Sequence, residues 1–160
     1  MKIGHSIKVG ISFGLTSGVI TTLGLIVGLH SSTLSKPAVI GGILIIAIAD
    51  AFSDALGIHI SEETENKHTT SQIWQATFST FLSKFLFSST FILPFLLFKL
   101  NLAVLISIGW GILLLTAFSF LIAKRQKAKA WKVIGEHLLV SGAVIILAHY
   151  LGDWIRTTFQ

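Results

Sequence analysis

The sequence predicts an all-α integral membrane protein with five transmembrane helices. Of its 160 residues, 52% are hydrophobic and only 12% are charged, which is about half the charged fraction of an ordinary soluble domain. Five stretches stay apolar over the roughly 20 residues that a helix needs to cross a bilayer. The basic residues cluster at the ends of these stretches, so the net charge of +5 indicates no nucleic-acid partner.

The five predicted helices follow one another closely and form a single transmembrane domain over residues 1–160. Their predicted bounds are residues 6–30, 37–60, 73–98, 101–123 and 131–155. Pro37 suits the first turn of the second helix, and Pro94 is expected to bend the end of the third. The first stretch is too long for a typical cleavable signal. The absence of cysteine excludes a disulfide scaffold and thiolate metal sites.

The distribution of Lys and Arg predicts the orientation of the bundle. The more basic side collects eight of these residues, namely Lys2, Lys8, Lys67, Lys124, Arg125, Lys127, Lys129 and Lys132. The other side collects three, namely Lys36, Lys99 and Arg156. We therefore expect a cytoplasmic N-terminus and an external C-terminus, with the plasma membrane as the location.

Glycines recur at steps of four in the first helix, at Gly10, Gly14 and Gly18. Such spacing leaves a flat stripe on which a second backbone can lie closely. Two interpretations fit this stripe: ordinary packing inside one subunit, and a dimer seam. Together with the resemblance described below, the stripe predicts a homodimer whose seam it forms with help from the second helix.

The second helix carries two carboxylates inside its apolar stretch, Asp50 and Asp54, which share one helix face. Ser61 and Glu65 fall on nearly the same face if the helix continues. Each Asp in the bilayer interior costs about 2.5–3.5 kcal/mol on insertion scales. Such residues usually mark an ion or proton path, although a buried salt bridge that only fixes helix packing is the alternative.

Lys84 is the other residue whose charge is costly, because it lies near the middle of an apolar stretch. Counted along the helices, Lys84, Asp50 and Ser17 lie at about the same depth, near the middle of the membrane. We expect Lys84 to pair with Asp50, or failing that with Asp54. The pair either is purely structural or acts as a switch that an entering cation displaces.

The remaining polar residues predict a weakly held divalent ion and no tight zinc site, because no histidine pair has i,i+4 spacing. Carboxylate and hydroxyl ligands suit Mn²⁺ or Fe²⁺. The predicted metal ligands are Asp50, Asp54, Ser17, Thr21, Ser61, Glu62 and Glu65. The predicted gating or coupling residues are Lys84, Glu136 and His59. Glu62, Glu63, Glu65 and His68 form either a cytoplasmic ion-collecting mouth or a solvated loop.

Two segments resemble the vacuolar iron transporter family: residues 14–24, which read GLTSGVITTLG, and residues 53–61, which read SDALGIHIS. The family has Asp-Gly-aliphatic-Val-Thr-Thr in its first helix and Ser-Met-aliphatic-Gly-Glu-aromatic-aliphatic-Ser in its second. Here Ser17 stands at the family's Asp, Asp54 at its Met and Ile58 at its Glu. The family's cytoplasmic metal-binding domain is reduced to a short loop.

This resemblance implies a homodimer that exports Fe²⁺ or Mn²⁺ from the cytoplasm against protons, along a path near the dimer interface. The ion is then the substrate, and no cofactor is expected. The expected partners are membrane lipid, divalent cations and a second copy of the chain. Three alternatives remain open: a proton- or sodium-coupled carrier of another substrate, a transport-inactive dimeric scaffold, and a phospholipid head-group transferase. The transferase is disfavoured because its pattern needs more aspartates than Asp50 and Asp54, so we expect no enzyme.

Overall fold

The computed structural model describes residues 4–159, which form helices and the turns between them. Five helices are long and apolar enough to cross a membrane. They are α1 (His5–Thr33), α2 (Lys36–Thr64), α3 (Thr70–Leu97), α4 (Leu100–Gln126) and α5 (Ala130–Phe159). The prediction of an all-α fold with five such helices is confirmed. Lys2, which contributes to the predicted orientation, lies outside the described residues.

Local sequence signals account for the helix ends. The Ser35 side chain accepts a hydrogen bond from a backbone N–H in the first turn of α2, and Thr69 with Gln72 forms a capping box at the start of α3. The sequence predicts a bend near Pro94, and the structure shows an interruption of α3 close to it. Its regular helix stops at Phe91, three residues before Pro94, because a proline removes a helical hydrogen bond and crowds the preceding turn.

One turn of α2 is a π-helix, over Ile46–Asp50, between α-helical segments Lys36–Ile45 and Ala51–Thr64. The fully buried residues of the helix around this turn recur at steps of four: Val39, Ile43, Ala47 and Ala51. In a straight α-helix, steps of four would drift around the axis, because one turn takes 3.6 residues. The wider π turn reduces this drift. It therefore helps to keep one face of α2 on the bundle, and its last residue is Asp50.

The central helix is α1, which packs along α3 on one side and along α5 on another. Its glycine stripe lies against α3 of the same chain. A Cβ atom at Gly14 would come within 2.5 Å of the Thr80 carbonyl oxygen, and one at Gly18 within 3.1 Å of Ser88 Oγ. The prediction that this stripe forms a dimer seam is wrong, because the α3 backbone already occupies it.

The outer surface of the bundle is strongly apolar. Large hydrophobic side chains lie exposed on every helix, among them Phe78, Leu105 and Leu139. Only 11% of the residues in the apolar stretch of α5 are buried. In water this surface would be unfavourable, whereas lipid tails solvate it well. The arrangement is consistent with a multi-pass membrane protein.

Candidate functional site

Lys84 lies at the centre of the candidate site and is the largest fully buried side chain in the described part of the chain. Its Nζ atom lies 2.5 Å from Asp50 Oδ2 and 2.5 Å from Asp54 Oδ2. The predicted Lys84–Asp50 pair is confirmed, and Asp54, the second choice, is equally close. One ammonium therefore holds two carboxylates that stand one turn apart on α2.

Ser17 completes the site from α1. Its hydroxyl donates a hydrogen bond to Asp54 Oδ2 over 2.6 Å and accepts one from Lys84 Nζ over 3.0 Å. An ammonium has three N–H donors, and three oxygen atoms surround this one: two from carboxylates and one from a hydroxyl. The polar atoms of three helices thus meet at the common depth that the sequence predicts.

The glycines of α1 explain how a lysine fits between two closely packed helices. A Cβ atom at Gly14 would lie 3.0 Å from the backbone nitrogen of Lys84, and one at Gly18 would lie 3.2 Å from its Cγ. A larger residue at either position would push α3 and the lysine stem away from Ser17. The stripe therefore positions the ammonium as well as the helix.

The electrostatics of the site are asymmetric. Two carboxylates and one ammonium leave a formal charge of −1. The lysine side chain is 0% exposed, whereas the Asp50 and Asp54 side chains are 36% and 20% exposed. A lone charge at this depth is unfavourable, and breaking a buried pair typically costs about 3–5 kcal/mol. The ammonium is thus enclosed in the bundle, while both carboxylates are partly exposed at its surface.

Comparisons of the chain with known protein families, with curated proteins and with solved structures find no match. The resemblance to the vacuolar iron transporter family therefore stays a prediction carried by its motifs. The chain differs from that family's motifs at Ser17, where the family has Asp, and at Asp54, where the family has Met. Those two side chains contact each other directly.

Within residues 4–159, no three His, Asp or Glu side chains are arranged so that they could hold a metal ion as they stand. Asp50, Asp54 and Ser17 nevertheless supply three oxygen atoms around one point, which Lys84 Nζ occupies. Oxygen donors of this kind suit Mn²⁺ and other hard divalent ions. A divalent ion can use these donors only if the ammonium moves out.

The other predicted metal ligands lie elsewhere. Thr21 donates to the Ser17 carbonyl oxygen over 2.8 Å, so it supports the helix turn that carries Ser17. Ser61 and Glu65 are exposed near the end of α2, about 10 Å or more along the helix from Asp54. Glu62 is buried there, with its Oε2 atom 3.5 Å from His68 Nε2.

The predicted gating residues other than Lys84 also lie outside the site. His59 Nδ1 lies 2.9 Å from Thr77 Oγ1, and its ring meets the edge of Trp74. This contact joins α2 to α3 between the aspartates and the C-terminal end of α2. Glu136 is exposed on α5. The structure brings neither residue to Lys84.

Sequence reasoning did not predict the π turn of α2 or two histidine–serine contacts that attach α5. His137 Nδ1 lies 2.6 Å from Ser119 Oγ of α4, and His149 Nδ1 lies 2.7 Å from Ser31 Oγ of α1. The only available signal was that each is a polar residue in an apolar helix. Such a residue needs a partner, but its sequence position does not say which.

Proposed function

We propose that this chain is a multi-pass membrane transporter that exports divalent metal cations of the Fe²⁺/Mn²⁺ class from the cytoplasm. The observation that carries the proposal is the site at Lys84, where two carboxylates and a hydroxyl hold a cation inside an apolar bundle. Charged residues at such a depth usually serve an ion or proton path. The motif resemblance in α1 and α2 favours metal as the ion.

In this proposal Lys84 is a tethered competitor of the transported ion. A divalent cation that reaches Asp50 and Asp54 neutralises both carboxylates, whereas the ammonium neutralises only one. The arriving ion displaces the ammonium and takes Ser17 as a further ligand. The proposal includes coupling of this export to proton antiport, as the motif resemblance implies.

We further propose that the active unit is a homodimer whose seam is the outer face of α2. Ala49, Ser53, Gly57 and Ser61 recur there at steps of four, and all are exposed. Nothing lies within 4 Å of a Cβ atom at Gly57. This stripe runs beside the half-exposed Asp50 and Asp54. A second copy packed on it would shield both carboxylates from lipid, in which they are strongly disfavoured.

For the whole molecule we propose the plasma membrane, with the N-terminus in the cytoplasm. The support is the excess of Lys and Arg at the end of the bundle that holds Lys8 and Arg125. Glu62, Glu65 and His59 lie at that same end of α2 and serve as the cytoplasmic approach to Asp54. Glu136 is left out of the path because it lies on the exposed face of α5.

A second candidate function, a transport-inactive dimeric scaffold, is favoured by one feature of the site. All three N–H donors of Lys84 have oxygen partners, so the site is a satisfied buried ion pair. Such a pair can persist for structural reasons alone. The two candidates differ in whether a cation can replace the ammonium.

A flux assay in proteoliposomes distinguishes these candidates. The purified chain is tested with Fe²⁺, Mn²⁺, Co²⁺, Ca²⁺ and Na⁺, with and without a pH gradient. We expect Fe²⁺ or Mn²⁺ flux that Asp54→Asn abolishes, because asparagine keeps the size and loses the charge that binds the ion. Asp153→Asn is the matched control, since this carboxylate pairs with Arg156 near the other end of the bundle.

Two results would contradict the exporter, and a third would contradict the role of its site. Flux of Na⁺ without divalent flux would support the sodium-coupled carrier. A correctly folded wild-type chain that moves no cation would support the scaffold. Equal loss of flux in Asp54→Asn and Asp153→Asn would remove the special role of the Lys84 site.

A further inference from the structure

A groove between α1 and α4 lies at the same end of the bundle as the basic linker. It is lined by Lys8, Ile11 and Ser12 of α1 and by Phe118, Leu121, Ile122 and Arg125 of α4, and it encloses about 170 Å³. Its polar and apolar parts are separated along the membrane normal. Lys8 and Arg125 lie within the end turns of their helices, whereas Phe118 lies about 10 Å deeper along α4.

The two cations of the groove have no acidic partner. Neither Lys8 nor Arg125 makes an ion pair or a side-chain hydrogen bond among residues 4–159. The sequence contains no Asp or Glu before Asp50 and none between Glu65 and Glu136, so α1 and α4 carry no acid at all. The Ser12 hydroxyl adds a further donor beside the two cations. The mouth of the groove is therefore a strongly positive site without a counter-ion from its own helices.

We propose that this groove binds one anionic phospholipid, with the phosphate between Lys8 and Arg125 and one acyl chain along the apolar wall. Charge complementarity selects the anionic headgroup, and the depth of Phe118, Leu121 and Ile122 selects a lipid over a free anion. Basic pockets between transmembrane helices on the cytoplasmic side are suited to anionic headgroups. The inference is independent of cation transport, since it involves none of the residues around Lys84.

Native mass spectrometry of the full chain, released from detergent, tests this inference. The first binding constant is measured for phosphatidylglycerol and for phosphatidylcholine with the same acyl chains. We expect the anionic lipid to bind more tightly. The double variant Lys8→Gln/Arg125→Gln should weaken its binding roughly 30-fold, since each cation near the surface contributes about fivefold. Phosphatidylcholine binding should stay unchanged.

The matched control is Lys127→Gln/Lys129→Gln, which removes the same charge from the neighbouring linker outside the groove. We expect it to weaken phosphatidylglycerol binding much less than the groove variant does, because neither Lys127 nor Lys129 lines the groove. If both double variants weaken binding equally, the attraction is a diffuse field and the groove is not a site.

Two further measurements separate a lipid from a free phosphate. Leu121→Trp keeps both cations and fills the wall, so it should weaken phosphatidylglycerol binding even though the headgroup site is intact. Glycerol 3-phosphate, the soluble headgroup, should not compete at the same concentration. Unchanged binding in Leu121→Trp, or full competition by glycerol 3-phosphate, would overturn the proposal. Circular dichroism confirms that each variant keeps its helices.

Discussion

At the scale of single residues, the site depends on the match between one ammonium and three oxygen atoms. Lys84 is fully buried, and Ser17, Asp50 and Asp54 account for its three N–H donors. Removal of any member leaves another with an unpaired polar group, which is more unfavourable than replacing all of them by apolar groups. The four side chains therefore act as one unit, and their effects will not add.

Lys84→Met tests whether the Lys84 ammonium occupies a site that a divalent cation can bind. The variant leaves Asp50 and Asp54 facing each other, so we expect the free energy of unfolding to fall by about 3–5 kcal/mol. Added Mn²⁺ should restore part of this loss, because the two carboxylates are then open to a divalent ion. The measurement is the unfolding midpoint in detergent with and without Mn²⁺.

Lys99→Met serves as the control for Lys84→Met, because Lys99 is exposed in the short turn between α3 and α4. It should change neither the midpoint nor the response to Mn²⁺. If Mn²⁺ stabilises Lys84→Met no more than it stabilises the wild type, the carboxylates do not form a cation site.

At the scale of elements, the contact between α1 and α3 decides the geometry of the site. Gly14 and Gly18 allow the two backbones to approach closely enough for Lys84 to reach Ser17 and the aspartates of α2. Asp50 is the last residue of the π turn of α2, and Asp54 follows it by one α-helical turn, so both reach the same atom. Irregular turns of this kind often occur at functional sites.

Gly14→Leu tests the role of this contact. Its Cβ atom would lie 2.5 Å from the Thr80 carbonyl oxygen, so α1 and α3 must separate. We expect destabilisation of at least about 1–3 kcal/mol, as for overpacked cores, measured as a lower unfolding midpoint. Gly41→Leu is the matched control, because nothing lies within 4 Å of a Cβ atom there.

Gly41→Leu should be neutral or slightly stabilising, since leucine favours a helix more than glycine does. If Gly14→Leu keeps wild-type stability but no longer dimerises, the dimer seam lies on the glycine stripe of α1 after all.

At the scale of the whole molecule, the question is what covers the partly exposed carboxylates of Asp50 and Asp54 on α2. The bundle presents apolar surface on its other faces, where lipid is a suitable solvent. Among residues 4–159, only the face with Asp50 and Asp54 combines small exposed residues with charge at mid-depth. A symmetric partner would bring the same stripe from a second copy, as isologous interfaces do.

Cysteine cross-linking tests this dimer directly, because the chain has no cysteine of its own. Ser53→Cys places one thiol on the outer stripe of α2, and a symmetric seam brings it close to its counterpart. We expect a disulfide-linked dimer when membranes are treated with a mild oxidant. Leu139→Cys, on the exposed face of α5, should remain monomeric. The opposite pattern would place the seam on α5.

The number of helices, their approximate ends and the common depth of Ser17, Asp50 and Lys84 can all be predicted from the amino-acid sequence. Those features follow from apolar length and the rise per residue, which are local properties. Two features became apparent from the packing of the helices: Asp54 shares Lys84 equally with Asp50, and Gly10, Gly14 and Gly18 meet α3 of the same chain. They could not be predicted because residue spacing shows which residues share a helix face but not which helix packs against that face. In helices that are apolar on nearly every side, that choice depends on how all five fit together.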